Sequence, residues 1–213
     1  MVSKGTLFTI AAPSGAGKTT LVKALVESTD NLKVSVSHTT RQPRRGEENG
    51  VNYNFITEDE FMQMLKGNLF LEHAQVFEHY YGTSQQWLTE QLDTGVDVIL
   101  EIDWQGAQQV CRLKPDTVSI FILPPSRAAL EKRLRQRGKD SEDVIAKRLR
   151  GAALEISHSV EFDYLVVNDN FNKALNDLQA IVYSQRLTQR VHAPKLEGML
   201  TDLTVTDTTF TEP

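Results

Sequence analysis

The chain has 213 residues, more than one average domain and fewer than two, and its 40% apolar and 24% charged residues are typical of a soluble globular protein. Its formal net charge of −5 argues against an extended basic surface of the kind that binds nucleic acid. Cys111 is the only cysteine, so no disulfide forms within the chain, and the sequence shows neither a signal-peptide pattern nor an apolar run long enough to cross a bilayer. We therefore expect a cytoplasmic protein with no nucleic-acid or membrane partner.

A glycine-rich segment follows the first predicted strand, Leu7–Ala11, and opens the first predicted helix, Lys18–Ser28. Strand, glycine-rich loop and helix in this order are typical of a P-loop, in which backbone amides at the helix N-terminus bind phosphate oxygens. In such a loop Lys18 reaches the β- and γ-phosphates, and the Thr19 hydroxyl binds Mg²⁺. Ala12 departs from the usual pattern, which has glycine there. The predicted nucleoside triphosphate site comprises Ala12, Pro13, Ser14, Gly15, Ala16, Gly17, Lys18 and Thr19.

Apolar strand-like runs and amphipathic helical segments alternate along the chain, which predicts an α/β fold with a mostly parallel sheet. The further buried strands are predicted at Val96–Ile102, Val118–Leu123 and Tyr164–Val167. The further helices are predicted at Gln105–Leu113, Arg127–Arg137 and Phe171–Leu187. Periodicity is weak from residue 197 to residue 213, where we expect a mobile tail.

Two stretches interrupt this alternation and divide the predicted core into residues 1–34, 93–125 and 158–196. The first, residues 35–92, carries strand-like runs at Val51–Phe55 and Phe70–Val76, and Thr57 begins a helix with a capping-box pattern. The second, residues 126–157, is helical, dense in Lys and Arg, and broken at residues 138–140. A core with two such insertions is the layout expected of an enzyme that closes over two substrates.

The first insertion opens with a concentrated set of cations. Arg41, Arg44 and Arg45 fall within five residues, on a segment that a proline and a glycine keep out of a helix. Arginine binds oxyanions through two parallel hydrogen bonds, and the hydroxyls of Tyr53, Tyr80 and Tyr81 further along could add to them. A solvated basic loop is the alternative, but next to a P-loop we favour a second phosphate site.

Several motifs together resemble those of guanylate kinases, from about residue 5 to about residue 190, in order and with the family's spacing. They are Ser37-x-x-x-Arg41-x-x-Arg44, Gly50-x-x-Tyr53-x-Phe55, Phe70-Leu71-Glu72, Tyr80-Tyr81-Gly82-Thr83 and Ile102-Asp103-x-Gln105-Gly106. The resemblance implies a P-loop core whose mostly parallel sheet is flanked by helices, with residues 35–92 as an inserted GMP-binding subdomain and residues 126–157 as a helical lid.

The resemblance also implies a GMP site. Arg41, Arg44, Tyr53 and Tyr81 match the family's ligands of the GMP phosphate, whereas Ser37, Glu72 and Thr83 match the residues that read guanine. The chemistry agrees, because an ionised Glu72 only accepts hydrogen bonds and guanine presents adjacent N–H donors at N1 and N2. Thr83 can donate to guanine O6. A good bidentate pair of this kind discriminates between bases by about 1–3 kcal/mol.

Two acids end a buried strand, where ligands gather in open α/β sheets. Glu101 and Asp103 should therefore face the nucleotide site, and by resemblance they are counted among the GMP-binding residues, since Asp103 matches the family's acid near the GMP sugar and base. One of the two, which sequence alone does not single out, could support Mg²⁺ through water. By resemblance, Arg133, Arg137 and Arg148 of the lid join Lys18 as catalytic residues over the ATP phosphates. Asn168 matches the family position near the adenine of ATP.

The predicted reaction is transfer of the γ-phosphoryl group of ATP to GMP, with Mg²⁺ and no histidine base. The acceptor phosphate is already mostly a dianion at neutral pH, because its second pKa is near ~6. Two alternatives remain: a non-catalytic guanylate-kinase-like module that binds a partner peptide in the GMP cleft, and a kinase for another nucleoside monophosphate. The sequence leaves homo-oligomerisation open.

Overall fold

Two sheets organise the chain in the computed structural model, which describes residues 4–76, 78–136 and 141–205. The larger sheet has five parallel strands in the order β2-β7-β1-β8-β9. Their bounds are Leu7–Ala11 for β1, Leu32–Val34 for β2, Asp97–Glu101 for β7, Val118–Leu123 for β8 and Tyr164–Val167 for β9. The predicted α/β class and the mostly parallel sheet are therefore confirmed, with β7 one residue shorter at each end than predicted.

Helices cover both faces of this sheet, and its strands β1 and β8 are accordingly buried along almost their whole length. On one face Phe8 and Ile10 pack against the first helix, α1, and the long late helix, α7. On the other face Leu7 packs against α3 and α4. These helices run over Lys18–Glu27 for α1, Gln85–Asp93 for α3, Trp104–Leu113 for α4 and Phe171–Arg186 for α7.

The second sheet lies within the predicted first insertion and has the strand order β4-β3-β6-β5. Its strands are His38–Thr39 (β3), Asn54–Phe55 (β4), Phe70–Val76 (β5) and His79–Ser84 (β6), and helix α2 spans Glu58–Lys66. The capping box at Thr57 is confirmed: its hydroxyl accepts from the Glu60 amide, and the Glu60 carboxylate accepts from the Thr57 amide. The Phe61 ring of α2 stacks on Phe70 with ring centroids 4.5 Å apart, which attaches the helix to the sheet.

The prediction of a strand over Val51–Phe55 is wrong for its first three residues. The chain turns there instead, because the Gly50 amide donates to the Tyr53 carbonyl and the Asn52 amide to that of Glu48. The strand begins only at Asn54, where pairing with β3 becomes possible.

Two helices form the described part of the predicted lid, α5 over Arg127–Gln136 and α6 over Glu142–Ser157. They pack together through Leu130 and Leu134 of α5 and Ala152 of α6. The predicted break at residues 138–140 lies outside the described residues. The boundaries of the lid and of the inserted subdomain stay predictions.

After α7 the chain continues as two short α-helices, α8 over Gln189–His192 and α9 over Glu197–Thr204, with a 3-10 helix over Ala193–Leu196 between them. Helix α9 occupies the start of the predicted mobile tail and has no buried residue, which explains why its sequence carries little periodicity. Residues 206–213 lie outside the described residues, and the mobility of the tail stays a prediction. Within the described ranges, no helix has both the length and the apolar character of a membrane span.

Candidate functional site

The glycine-rich loop adopts a backbone that only glycine accommodates easily. Gly15 and Gly17 have φ values of 94° and 93°, in the left-handed region. A Cβ on Gly17 would lie 2.5 Å from Nδ2 of Asn168, and one on Gly15 would lie 3.0 Å from a methyl group of Leu130. Gly17 is also the N-cap of α1 and has no side chain to bind the amides of the first turn. Those amides therefore point into the loop, where an anion would meet the positive end of the helix.

Lys18 and Thr19 lie at the start of α1, next to the carboxyl end of β7. The Lys18 ammonium donates to the Ile102 carbonyl over 3.0 Å. The Thr19 hydroxyl donates to Oε1 of Glu101 over 2.5 Å. Desolvation lowers the pKa of the Lys18 ammonium, and nearby carboxylates partly offset this effect; they belong to Glu101, Asp103 and Glu155.

The Thr19–Glu101 pair fits a Mg²⁺ ion by its donor chemistry. Mg²⁺ prefers hard oxygen ligands, takes few of them from protein and completes its shell with water and substrate phosphates. A hydroxyl and a carboxylate already in contact beside a phosphate-binding loop supply that partial set. The contact also favours Glu101 over Asp103 as the acid nearer to such an ion, a choice that the sequence left open.

A cleft of about 700 Å³ joins the P-loop to the second sheet. It brings together eight of the nine residues predicted for GMP and, of those predicted for ATP, Lys18 and Thr19; residues 12–17 of the loop are not among its lining residues. Those that line it are Lys18, Thr19, Ser37, Arg41, Arg44, Tyr53, Glu72, Tyr81, Glu101 and Asp103. The two predicted phosphate sites thus open into one space.

The segment of residues 41–47, here called the arginine loop, forms one wall of this cleft. Hydrogen bonds to the Glu47 carboxylate hold its conformation. Nη2 of Arg41 donates to both oxygens of the Glu47 carboxylate, at 2.9 and 3.0 Å, and the Arg44 amide donates to Oε2 at 2.7 Å. Although burial favours the neutral acid, these hydrogen bonds and the arginine charges hold the pKa of Glu47 below its usual value. The guanidinium of Arg41 lies 5.4 Å from the ring centroid of Tyr53, within range of a cation–π interaction.

Sequence reasoning missed Glu47, although it named the loop that contains it. The available signal was an acid three residues after Arg44 in an otherwise basic segment. The Tyr53 and Tyr81 rings, with centroids 5.9 Å apart, complete this wall. Cations, phenol groups and a fixed backbone together form a site suited to a phosphate group.

Glu72 also lines the cleft, and its residue is only 4% exposed. The Thr83 hydroxyl donates to Oε1 of Glu72 over 2.6 Å. Burial raises the pKa of Glu72 to about 7, an effect that the Thr83 hydrogen bond opposes and the charge of Asp103 reinforces. Thr83 lies behind Glu72 rather than among the residues that line the cleft, and its contact in this structure is with the carboxylate.

Asp103 has a structural contact as well as a place in the cleft wall. It is the N-cap of α4, and its Oδ1 accepts from the Gly106 amide over 2.8 Å. The strand-end acids therefore face different partners: Glu101 contacts Thr19, whereas Asp103 lies near Glu72 at the start of α4.

Two residues predicted for the ATP side contact the backbone of the P-loop. Arg133 donates from Nη1 to the Ala16 carbonyl at 3.3 Å and from Nη2 to the Asn168 carbonyl at 2.8 Å. Nδ2 of Asn168, a buried residue, also donates to the Ala16 carbonyl, at 2.7 Å. Neither residue lines the cleft, and both brace the loop from the side of α5 and β9.

The two other lid arginines that were predicted as catalytic residues, Arg148 and Arg137, do not both fall within the described structure. Arg148 lies on α6 and is not among the described residues that line the cleft. Arg137 lies outside the described residues. Sequence reasoning missed Glu155 of α6; burial raises its pKa to about 7, with the charge of Lys18 acting against the shift. No local pattern distinguished Glu155, since its surroundings come from the P-loop and the end of β7.

Comparison with known proteins bears on the family. The sequence model described as guanylate kinase matches residues 4–185. The chain is 54% identical over 203 residues to a guanylate kinase of Saccharophagus degradans, covering 95% of this chain and 99% of that protein. It is 56% identical over 202 residues to a guanylate kinase of Methylococcus capsulatus, with coverage of 95% and 99%.

A solved structure agrees with these sequence relatives. The crystal structure of guanylate kinase from Anaplasma phagocytophilum superimposes with a TM-score of 0.80 at 31% identity, covering 97% of this chain and 99% of that one. The fold, the P-loop and the family match point the same way. The chain therefore belongs to the guanylate kinase family, and so to the nucleoside monophosphate kinases.

Proposed function

We propose that this chain transfers the γ-phosphoryl group of ATP to GMP, giving ADP and GDP, with Mg²⁺ bound alongside ATP. One observation carries the proposal: a single cleft has Lys18 and Thr19 of the P-loop at one end and the arginine loop with Glu72 at the other. Two phosphate sites that share one space are what transfer between two nucleotides requires. Family membership supports the same conclusion.

The acceptor nucleotide binds between two chemically different walls. Its phosphate lies against Arg41, Arg44, Tyr53 and Tyr81, which together offer cationic forks and phenolic donors. Its base lies against Glu72, whose carboxylate accepts from guanine N1–H and N2–H. Adenine presents an acceptor at N1, so its lone pair would face the Glu72 charge. GMP is therefore favoured over AMP by the chemistry of this wall.

The transfer itself needs positioning and charge neutralisation rather than a base. A phosphate oxygen of GMP forms a bond to the γ-phosphorus while the bond from that phosphorus to the β–γ bridging oxygen breaks, leaving ADP. Lys18 and the α1 amides bind the ATP phosphates. The family resemblance assigns Arg133, Arg137 and Arg148 of the lid to neutralising charge on the transferring group, for which Arg133 would have to exchange its present contacts with the Ala16 and Asn168 carbonyls for the phosphate. Thr19, with Glu101 nearby, would hold Mg²⁺, which would supply further neutralisation of the β- and γ-phosphates.

Asn168 and Arg133 support this arrangement through the P-loop. Their hydrogen bonds to the Ala16 carbonyl fix the loop on which the triphosphate rests. Closure of the lid and the GMP-binding subdomain over both nucleotides would exclude water, a competing acceptor for the phosphoryl group.

Replacing Lys18 by alanine tests the P-loop end of the proposal. We expect kcat to fall by roughly 10²-fold or more, because one preorganised donor at developing charge is worth that much. Lys66→Ala, at an exposed position of α2, is the matched control and should keep wild-type turnover. Near-wild-type turnover by a folded Lys18→Ala protein would contradict the assignment of the triphosphate site.

A non-catalytic module that uses the GMP cleft for a partner peptide is the alternative from a different class. The intact P-loop favours the enzyme, since glycines with a left-handed backbone and a lysine at the helix start have no evident use in peptide binding. Folded protein that binds GMP but produces no ADP with any acceptor would favour the module.

A further inference from the structure

The first turn of α4 has a glycine, Gly106, beside the carboxylates of Glu72 and Asp103. Gly106 is the third residue of this helix and is buried. A Cβ built on it would lie 2.9 Å from Oε2 of Glu72 and 3.4 Å from Oδ1 of Asp103. Real Cβ atoms essentially never approach an oxygen as closely as the first of these distances. Gly106 therefore leaves the room that the Glu72 carboxylate occupies.

The carboxylate is held from the other side as well. Its Oε1 accepts the Thr83 hydroxyl at 2.6 Å, and Glu72 pairs with Thr83 across the β5–β6 ladder. Thr83 on one side and the α4 backbone at Gly106 on the other therefore define where the Glu72 carboxylate lies.

Nothing about the helix itself requires a glycine here. Gly106 does not have a positive φ, so an alanine would fit its backbone. Glycine inside a helix normally destabilises the helix relative to alanine. The space needed by Glu72 supplies a reason for glycine at this position.

We propose that Gly106 is a positioning residue that sets specificity for guanine, by fixing where the Glu72 carboxylate lies. This inference rests on the proposed function, because it concerns the same acceptor site. Gly106 needs no contact with the nucleotide; it acts through Glu72. The sequence motif that contains Gly106 thereby acquires a physical role beyond its family resemblance.

The Gly106→Ala variant tests this role. The added Cβ must displace Oε2 by a few tenths of an ångström to reach ordinary contact, and the flexible end of Glu72 can yield without movement of the backbone. A catalytic or binding group displaced by 1 Å can cost 10²-fold, so this smaller shift should raise the KM for GMP roughly tenfold. The KM for ATP should stay at its wild-type value, and the melting temperature should not fall.

Gly151→Ala provides the matched control. Gly151 also lies inside a helix, α6, is exposed, and a Cβ there would meet nothing within 4 Å. This variant should keep the wild-type KM for both nucleotides. A Gly106→Ala protein with the wild-type KM for GMP, or with equal rises in the KM for GMP and ATP, would overturn the proposal.

A double-mutant cycle separates action through Glu72 from any other effect of the added methyl group. In a Glu72→Ala background the carboxylate is gone, so adding Gly106→Ala should leave the equilibrium dissociation constant for GMP unchanged. A further tenfold weakening in that background would contradict a role through Glu72. Failure of the proposed function would appear in the wild-type protein, as no GMP phosphorylation, whereas failure of this inference appears only in the comparison of variants.

Discussion

Replacing Glu72 by glutamine should stabilise the nucleotide-free protein at pH 8 while weakening its binding of GMP. The wild-type carboxyl has its pKa raised from 4.5 to about 7, chiefly by burial. At about 1.4 kcal/mol for each tenfold change in proton affinity, ionising this group inside the folded protein costs about 3 kcal/mol relative to the unfolded chain. A neutral amide avoids that cost.

The sign of the effect fixes its pH window. The folded protein binds the Glu72 proton more tightly than the unfolded chain does, so this contribution to stability is complete below pH 4.5 and is lost as the pH rises to about 7. The advantage of Glu72→Gln should therefore be small near pH 4.5 and fully developed by pH 8. The amide oxygen can still accept from Thr83, but an imperfectly paired NH₂ group would cost about 1 kcal/mol.

We expect a net gain of about 2 kcal/mol at pH 8, or about 4–8 °C in Tm for a chain of this size. Thermal and urea unfolding at pH 5 and pH 8 measure it directly, with Glu90→Gln, at an exposed position of α3, as the control for loss of one negative charge. A stability difference between wild type and Glu72→Gln that does not grow from pH 5 to pH 8 would refute the reasoning.

The same variant should raise the KM for GMP by roughly 10²-fold, because the amide can place N–H donors where guanine also presents donors. The KM for ATP should stay near its wild-type value. Stability and GMP binding are thus expected to move in opposite directions on one substitution.

Three further predictions follow from the charged contacts of the structure. For the wild type, the KM for GMP should rise as the pH falls below about 7, because Glu72 becomes protonated, and Glu72→Gln should lack that part of the pH profile. Glu47→Gln should raise the KM for GMP about fivefold without changing that for ATP, since the fork that fixes Arg41 is weakened; a lowered KM would mean instead that Glu47 competes with the phosphate. Arg186→Leu should lower the free energy of unfolding in urea by about 3 kcal/mol. The guanidinium lies 2.7 Å from the buried carboxylate of Asp97, which would lose its ion-pair partner. An Asp97→Asn/Arg186→Leu double variant should recover part of the loss.

The predictable part of the fold includes the longer apolar strands of the large sheet. Strands β1, β8 and β9 have the predicted bounds, because each is a short apolar run rich in β-branched residues between polar residues. The strands β2, β3 and β4 have only two or three residues, too few to show a period. Their existence depends on pairing partners that are remote in sequence.

The residues of the candidate site likewise divide into those that the sequence predicted and those whose surroundings it could not predict. The P-loop is one continuous segment of the sequence, and the arginine loop is another. Composition and residue order alone therefore predicted both. The environment of Glu72 combines β5, β6 and the start of α4, and the contact of its carboxylate with Gly106 joins residues 34 positions apart. The resemblance likewise placed Arg133 in the lid, but it did not show that Arg133 would contact the Ala16 carbonyl.

The central claim is most directly tested by ADP production from ATP and Mg²⁺ with GMP, AMP, CMP and UMP offered separately as acceptors. The account predicts turnover with GMP and little with the other three, since Glu72 accepts from adjacent donors that only guanine provides among these bases. Efficient turnover of another monophosphate would contradict the assignment of Glu72. Absence of turnover with all four acceptors, from folded protein, would contradict the proposed phosphoryl transfer itself.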